Sequence, residues 1–371
     1  MLICLFSLSA DIATRTIARV LDQKQVSHFL FSFGGYPKLS KVSLELNNNQ
    51  AIGTLTNTYG SVTTNQISAF WNSQKGRGLI QNAADHTLAQ YVLGESRTLI
   101  RGLSDAMPNT FWMSRQEAML QASVKPHLLN QARLNGFRIP ASCIGNSPEA
   151  VAQFTEQYPR IAIKSLSNPK FSRKRSPLQQ FFYQLKKPWK SPFSKVEETA
   201  NAWDLSLDEP SRLYETHQTY TIFTQCLSHD ELTENVLASI KHCPIIVQEY
   251  IPKQLELRVI VVGERVFTCA IDSQALPEST VDFRALDNYD QKLKHTIHTL
   301  PDDIAERCVQ HVKDLGLEYG AIDLILTPEG EYVYLELNTT GAWYWLEEQT
   351  GLPIAEAIAD HLITGAKAMG H

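Results

Sequence analysis

At 371 residues and 43% hydrophobic content the chain exceeds one usual domain, so about two or three lobes with sizeable cores are expected. A net charge of −5 excludes a protein whose whole surface tracks nucleic acid, though not a local basic patch. Six scattered cysteines without a C-x-x-C pair fit free thiols in a reducing cytosol, and no stretch has the apolar length of a membrane span.

The opening LICLFSLSA has no preceding Lys or Arg and too short an apolar run for export, so it reads as a strand of a cytoplasmic protein. Helical spacing of Ile17, Val20 and Leu21 and the strand HFLFSF complete a β-α-β opening, with Asp11 as helix N-cap. The first strand is not followed by G-x-G-x-x-G, which argues against a dinucleotide-binding fold. ELNNNQAIGTLTNTYG reads as a hairpin turning at its asparagines. PNTFWMSRQEAMLQASVKPHLLNQARLNGFRIPAS reads as a helix that ends near Gly136, with an apolar stripe of Leu128, Leu129 and Leu134. RIAIKSL is a strand carrying Lys164, whose flanking Ile161, Ile163 and Leu166 oppose its full exposure. Residues 170–195 are basic, with interleaved aromatics and no acid: a solvated insertion, a clamp for an acidic peptide, or a nucleic-acid contact.

PIIVQEYI is an apolar strand running into a connector, and LELRVIVV with RVFTCAI is a hairpin turning at Gly263-Glu264. Alternation puts Glu256 and Arg258 on one face, either as functional groups or as a plain ion pair. Asp282, Phe283 and Arg284 follow; an arginine fork at 284 suits a carboxylate or phosphate. His295 and His298 are spaced to share a helix face, and DDIAERCVQHVKDLGL is a helix ending at Gly316.

LEYGAIDLILTPEGEYVYLELNTTGAW reads as a β-hairpin. With Thr327 to Gly330 as a four-residue loop, Leu326 pairs with Glu331 and Asp323 falls opposite Tyr334. Asp323 is then diagonal to Glu336, roughly 7 Å away. Glu336 and Asn338 project together, while Val333, Leu335 and Leu337 point the other way. Converging oxygen donors without His or Cys suit Mg²⁺ and a nucleotide phosphate. The plainer alternative is a surface hairpin with solvated acids.

The D…ELN pairing, with YGAID before it and GAWYWLEEQTGLPIAEAIADHL after it, resembles the ATP-grasp ligases, and among them the graspetide (microviridin-type) peptide ligases. The resemblance implies an α/β ATP-grasp fold: an N-terminal pre-ATP-grasp α/β domain over 1–120, a central subdomain over 121–247 containing the basic insertion, and a C-terminal subdomain with the metal site over 248–371. It implies that Lys125 and Lys164 hold the phosphates of ATP, and that Gln248, Glu249, Tyr250 and Ile251 form the adenine-reading connector. Glu256 approaches the ribose, Arg258 faces the transferring phosphate, and Arg284 holds the acceptor, while Asp323, Glu336 and Asn338 bind Mg²⁺. AFWNSQKG keeps Phe70 and Trp71 but lacks the arginine pair of the family's V-W-Y-R-R run; DFR replaces D-W-R, and NTTGAW replaces N-P-N-G-Q-W.

The implied reaction activates Asp or Glu side chains of a precursor peptide as acyl phosphates and forms ester or amide cross-links. A ligase for free amino acids or short peptides, and a nucleotide-binding module without ligase activity, are the alternatives. A homodimer is left open.

Overall fold

The computed structural model describes residues 1–7, 11–32, 40–73, 86–167, 170–174, 217–221, 224–228, 231–276, 279–281 and 293–371. Strand β1 (Leu2–Ser7), helix α1 (Ile12–Gln23) and strand β2 (Ser27–Ser32) form the expected β-α-β unit with parallel strands. Asp11 caps α1: its carboxylate accepts from the Ala13 amide at 3.1 Å and the Thr14 hydroxyl at 2.9 Å. β3 (Lys41–Leu46), β4 (Ala51–Asn57) and β5 (Gly60–Thr63) make a separate antiparallel sheet. Its asparagine turn closes as expected, the Asn47 side chain accepting from the amides of Asn49 and Gln50 at 2.9 and 3.1 Å.

β6 (Ala69–Asn72), α2 (His86–Gly102) and β7 (Phe111–Met113) follow, and β6 and β7 extend the first sheet in the order β2-β1-β6-β7. Phe70 and Trp71 are core residues there. Where the sequence suggested one helix, two form: α3 (Gln116–Gln121) and α4 (Lys125–Leu134). Pro126 explains the break, since its ring excludes a preceding helical turn but suits the first turn of a new helix. Leu128 and Leu129 are buried, but Leu134 is exposed. Six residues at 100° each carry it about a third of a turn away from Leu128.

β8 (Ser142–Gly145), α5 (Pro148–Thr155) and β9 (Arg160–Lys164) lead to β10 (Lys170–Lys174) and β11 (His217–Thr221), which pair with each other. The basic tract therefore opens in a strand; its remainder, 175–195, lies outside the described residues. β12 (Gln225–Ser228), α6 (Glu234–Ile240) and β13 (Ile245–Glu249) complete an antiparallel sheet ordered β12-β9-β13-β8.

The last sheet, β16-β15-β14-β17-β18, comprises β14 (Leu255–Val262), β15 (Arg265–Ile271), β16 (His295–Ile297), β17 (Tyr319–Leu326) and β18 (Tyr332–Asn338). β14 and β15 turn at Gly263, whose φ of +56 fits the first position of a tight hairpin turn. His295 lies in strand β16 and His298 just beyond it, because Thr296 and Ile297 pair with β15 instead of coiling. α7 (Asp302–Asp314) ends before Gly316, at φ +69, as the sequence indicated. α8 (Tyr344–Thr350) and α9 (Ile354–Ala368) close the described chain.

This sheet is covered on both faces. Leu257, Val259, Ile322 and Leu337 pack with α3, α4 and α7. On the other side Ile260, Val262, Phe267 and Tyr319 share a core with α1, α9 and the N-terminal sheet. Helix α9 is thus a wedge between two sheets. Its Gly365 leaves no room for a side chain, since a Cβ there would lie 2.3 Å from a Phe111 ring carbon. Gly365→Ala is expected to cost about 1–3 kcal/mol through overpacking, read as a lower melting temperature.

Candidate active site

The C-terminal hairpin meets the expectation of convergence by a different register. Gly330, at φ +86, ends the Thr327–Gly330 turn; the Thr327 amide donates to the Glu331 carbonyl at 2.9 Å, so the loop is three residues, 328–330, and Leu326 pairs with Tyr332. A second irregularity falls beside Asp323 and Leu324, where Leu335 has no opposite number. The two offsets add up to place Asp323 directly opposite Glu336 instead of diagonal to it, and Ala321 opposite Asn338. The bulge also reverses the facing of the residues up to it, while Leu337 faces the core as expected. Tyr334 and Leu337 enter the main core, whereas Val333 and Leu335 pack with Ile251 and Ile325 on the side of Glu336.

Directly opposed carboxylates repel unless positive charge lies nearby. Arg258 supplies some: it is the partner of Asp323 on the adjacent strand, and its Nε lies 3.0 Å from Asp323 Oδ1. The approach is an ion pair off the line of a good hydrogen bond. Asn338 Nδ2 donates to Glu336 Oε1 at 3.2 Å. Turning that amide over would present its oxygen beside the two carboxylates, so the donor set fits a hard divalent cation. Glu256 and Arg258 do share a face, both 8% exposed, but they are not each other's partners. Glu256 is taken by Lys253, whose Nζ lies 2.9 Å from its Oε1 and also donates to the Val281 carbonyl at 2.7 Å.

Lys125, Lys164, Gln248 and Glu336 line one cleft, with Leu128, Leu129, Ile246 and Leu335 as its apolar walls. The two lysines arrive from different elements: Lys125 starts α4, and Lys164 ends β9 opposite Ile246. Lys125 Nζ donates to the Ser165 carbonyl at 2.9 Å, which tethers α4 to the end of β9.

The connector between β13 and β14 starts later than expected, at Tyr250. Gln248 and Glu249 belong to β13 itself, where Gln248 Nε2 donates to Ser142 Oγ at 2.9 Å. The Glu249 carboxylate turns away, accepting from the Ala141 amide at 2.9 Å with Arg138 at 3.5 Å. Tyr250 lies under the Arg160 guanidinium, 4.2 Å from the ring centre, and Ile251 is buried. The amides of Glu249 and Tyr250 are bonded to the carbonyls of Ala141 and Arg160, so those two amides cannot read a base. Arg284, with Asp282 and Phe283, lies outside the described residues. Sequence reasoning missed Lys253, Leu335 and Ile246. A buried acid needs a partner, so the lysine three residues before Glu256 was a usable signal; the bulge that turns Leu335 into the cleft left none.

Under the site, the Tyr334 hydroxyl lies 3.2 Å from His311 Nε2, and His311 Nδ1 lies 2.9 Å from Asn135 Oδ1. This joins the end of α4 to α7 and β18. Burial, with the negative charges of Glu336 and Asp323 adding to it, pushes the Tyr334 phenol well up, so it stays a donor. Burial holds His311 down to about 4, so it accepts from the phenol while neutral.

Residues 2–119 match the family model of the MvdD pre-ATP grasp domain, and residues 215–362 that of the RimK-like ATP-grasp domain. Among solved structures, the chain is similar to a RiPP-associated ATP-grasp ligase of Chryseobacterium gregarium, in complex with ADP and a leader and core peptide. The TM-score is 0.78 at 23% identity, over 98% of this chain and 96% of that one. It is also similar to the macrocyclase MdnC of Microcystis aeruginosa MRC bound with precursor peptide MdnA, with TM-score 0.76 and 26% identity over 98% and 100% of the chains. The macrocyclase MdnB of the same organism gives TM-score 0.70 and 25% identity over 98% and 99%. No curated protein matches.

His311 carries a pH signature. Its depressed folded-state value means that its contribution is fully present above about 6.5 and is lost as pH falls toward about 4, because only the unfolded chain takes up the proton. Denaturation midpoints across that window are expected to fall in the parent protein and to fall less steeply in His311→Gln.

Proposed function

Because the chain belongs to the ATP-grasp ligases with an MvdD-type pre-ATP-grasp domain, we propose that it is an ATP-dependent ligase that cross-links a ribosomally made precursor peptide through its Asp or Glu side chains. The observation that carries this reading is the single cleft in which Lys125, Lys164 and Glu336 meet, next to the Arg258–Asp323 pair. Solved relatives with ADP and with leader or precursor peptides support the choice of nucleotide and partner.

In the proposed reaction an oxygen of the peptide carboxylate attacks the γ-phosphorus of ATP, the bond to the bridging oxygen breaks, and ADP leaves. A hydroxyl or amine then attacks the acyl carbon, inorganic phosphate departs, and the nucleophile's proton is released. Lys125 and Lys164 act as point charges on the nucleotide phosphates, and Arg258 offsets charge on the transferring group. The apolar walls Ile246 and Leu335 exclude water and accept the base. Asp323, Glu336 and Asn338 would hold Mg²⁺, which neutralises phosphate charge when bound. Arg284 remains our candidate for the acceptor carboxylate. Glu256, which also pairs with Lys253 at 2.9 Å, is assigned to the ribose side on the family resemblance.

The three-part division at 1–120, 121–247 and 248–371 belongs to the proposal, with strand Ile245–Glu249 spanning the second junction. So does a cytoplasmic location; among the described residues no helix is long and apolar enough to cross a membrane.

The test uses purified protein, Mg²⁺, ATP and a synthetic acidic peptide bearing Ser and Lys, reading ADP release, hydroxylamine-trapped acyl phosphate and loss of water from the peptide. Lys164→Ala and Glu336→Ala are each expected to slow ADP release roughly 10²–10³-fold, as for loss of one preorganised charge contact. Parental turnover by Glu336→Ala rules out the site assignment. ADP release without trapped acyl phosphate points to a nucleotide-hydrolysing module instead.

A further inference from the structure

Tyr319 is 1% exposed at the start of β17, on the face shared by Ala321 and Asp323. Its hydroxyl donates to the Gly341 carbonyl at 2.7 Å. Burial pushes this phenol up, which keeps it protonated as a donor. From the N-terminal sheet the Trp71 ring meets the Tyr319 ring edge-on, with centroids 5.3 Å apart.

Gly341 is held at both ends. Its amide donates to the Asn338 carbonyl at 3.2 Å, closing a turn over 338–341, and its carbonyl is bound by Tyr319. The turn sits directly on the site. A Cβ added at Gly341 would lie 2.2 Å from Ala321 Cβ, 3.3 Å from Asn338 Cβ and 3.4 Å from Arg258 Nη1. The absence of a side chain at 341 therefore lets the turn press against the row that includes Arg258, Asp323 and Asn338.

We propose that Tyr319 is a positioning residue: by holding the Gly341 carbonyl, its hydroxyl keeps the 338–341 turn seated on the sheet and fixes Asn338 and Arg258 relative to Asp323. This rests on the reading of that row as a magnesium–nucleotide site. It makes the N-terminal domain, through Trp71, a mechanical support for the catalytic row.

The test is calorimetric binding of ADP to the full chain, with Mg²⁺ and with EDTA, alongside melting curves without nucleotide. In Tyr319→Phe, which keeps the ring and removes the hydroxyl, the gain in ADP affinity on adding Mg²⁺ is expected to drop roughly fivefold, as for one lost hydrogen bond, while affinity in EDTA stays within about twofold. Gly341→Ala disturbs the same turn from the other side and is expected to show the same selective loss; it carries the test if Tyr319→Phe does not fold. A lower melting temperature with an unchanged Mg²⁺ gain, or equal losses with and without Mg²⁺, overturns the positioning role. Glu336→Ala separates the two levels of inference. If it loses the Mg²⁺ gain while Tyr319→Phe keeps it, only the role of Tyr319 falls; if it keeps the gain, the metal reading falls and takes that role with it.

Discussion

Two carboxylates set side by side on neighbouring strands, Asp323 and Glu336, are the constraint that the rest of the site accommodates. In a folded chain such a pair is costly, and every nearby element works against that cost. Arg258 lies on the strand beside Asp323, the Asn338 amide meets Glu336, and two lysines are brought in from outside the sheet. Removing one member of a buried charge pair typically costs about 3–5 kcal/mol, because the other charge is left buried without a partner, so Arg258 and Asp323 depend on each other. The same principle explains why buried Glu256 carries Lys253 with it.

The cleft is a junction between layers. β9 and β13 provide Lys164, Ile246 and Gln248 from one sheet, β18 provides Leu335 and Glu336 from another, and α4 bridges them with Lys125. Such a junction needs a fixed helix. At its first turn α4 is tied to the end of β9 through Lys125 and Ser165, and at its far end Asn135 joins the polar chain through His311 to Tyr334. Tyr334 is only two residues from Glu336, so the network that anchors the helix also braces the strand that carries the acid.

Much of this was legible in the sequence because periodicity and turn chemistry act locally. Asp11 as a cap, the Asn47 turn, the Gly263 hairpin and the Gly316 helix end each depend on a few neighbouring residues. The meeting of Asp323 with Glu336 was anticipated, but its register was not. The offset after Gly330 and the bulge at Leu335 are settled by what packs on each face, and alternation alone cannot count an inserted residue. The single long helix failed at Pro126 for a local reason that was available, and His295 was misplaced because its strand exists only by pairing with β15. The strand before the connector runs two residues further than alternation suggested, since Gln248 and Glu249 continue an apolar strand whose end is fixed by pairing with β9.

The wedge formed by α9 has a consequence for engineering. Its apolar residues belong to the same core as Ile3, Leu5 and Trp71 from the first sheet and as Ile260 and Val262 from the last. The lobe at the beginning of the chain and the helix at its end are therefore one folding unit joined across the whole length of the protein. A chimera that replaces the first lobe with a foreign one must transplant helix α9 with it, or leave both parts with an unmatched apolar surface.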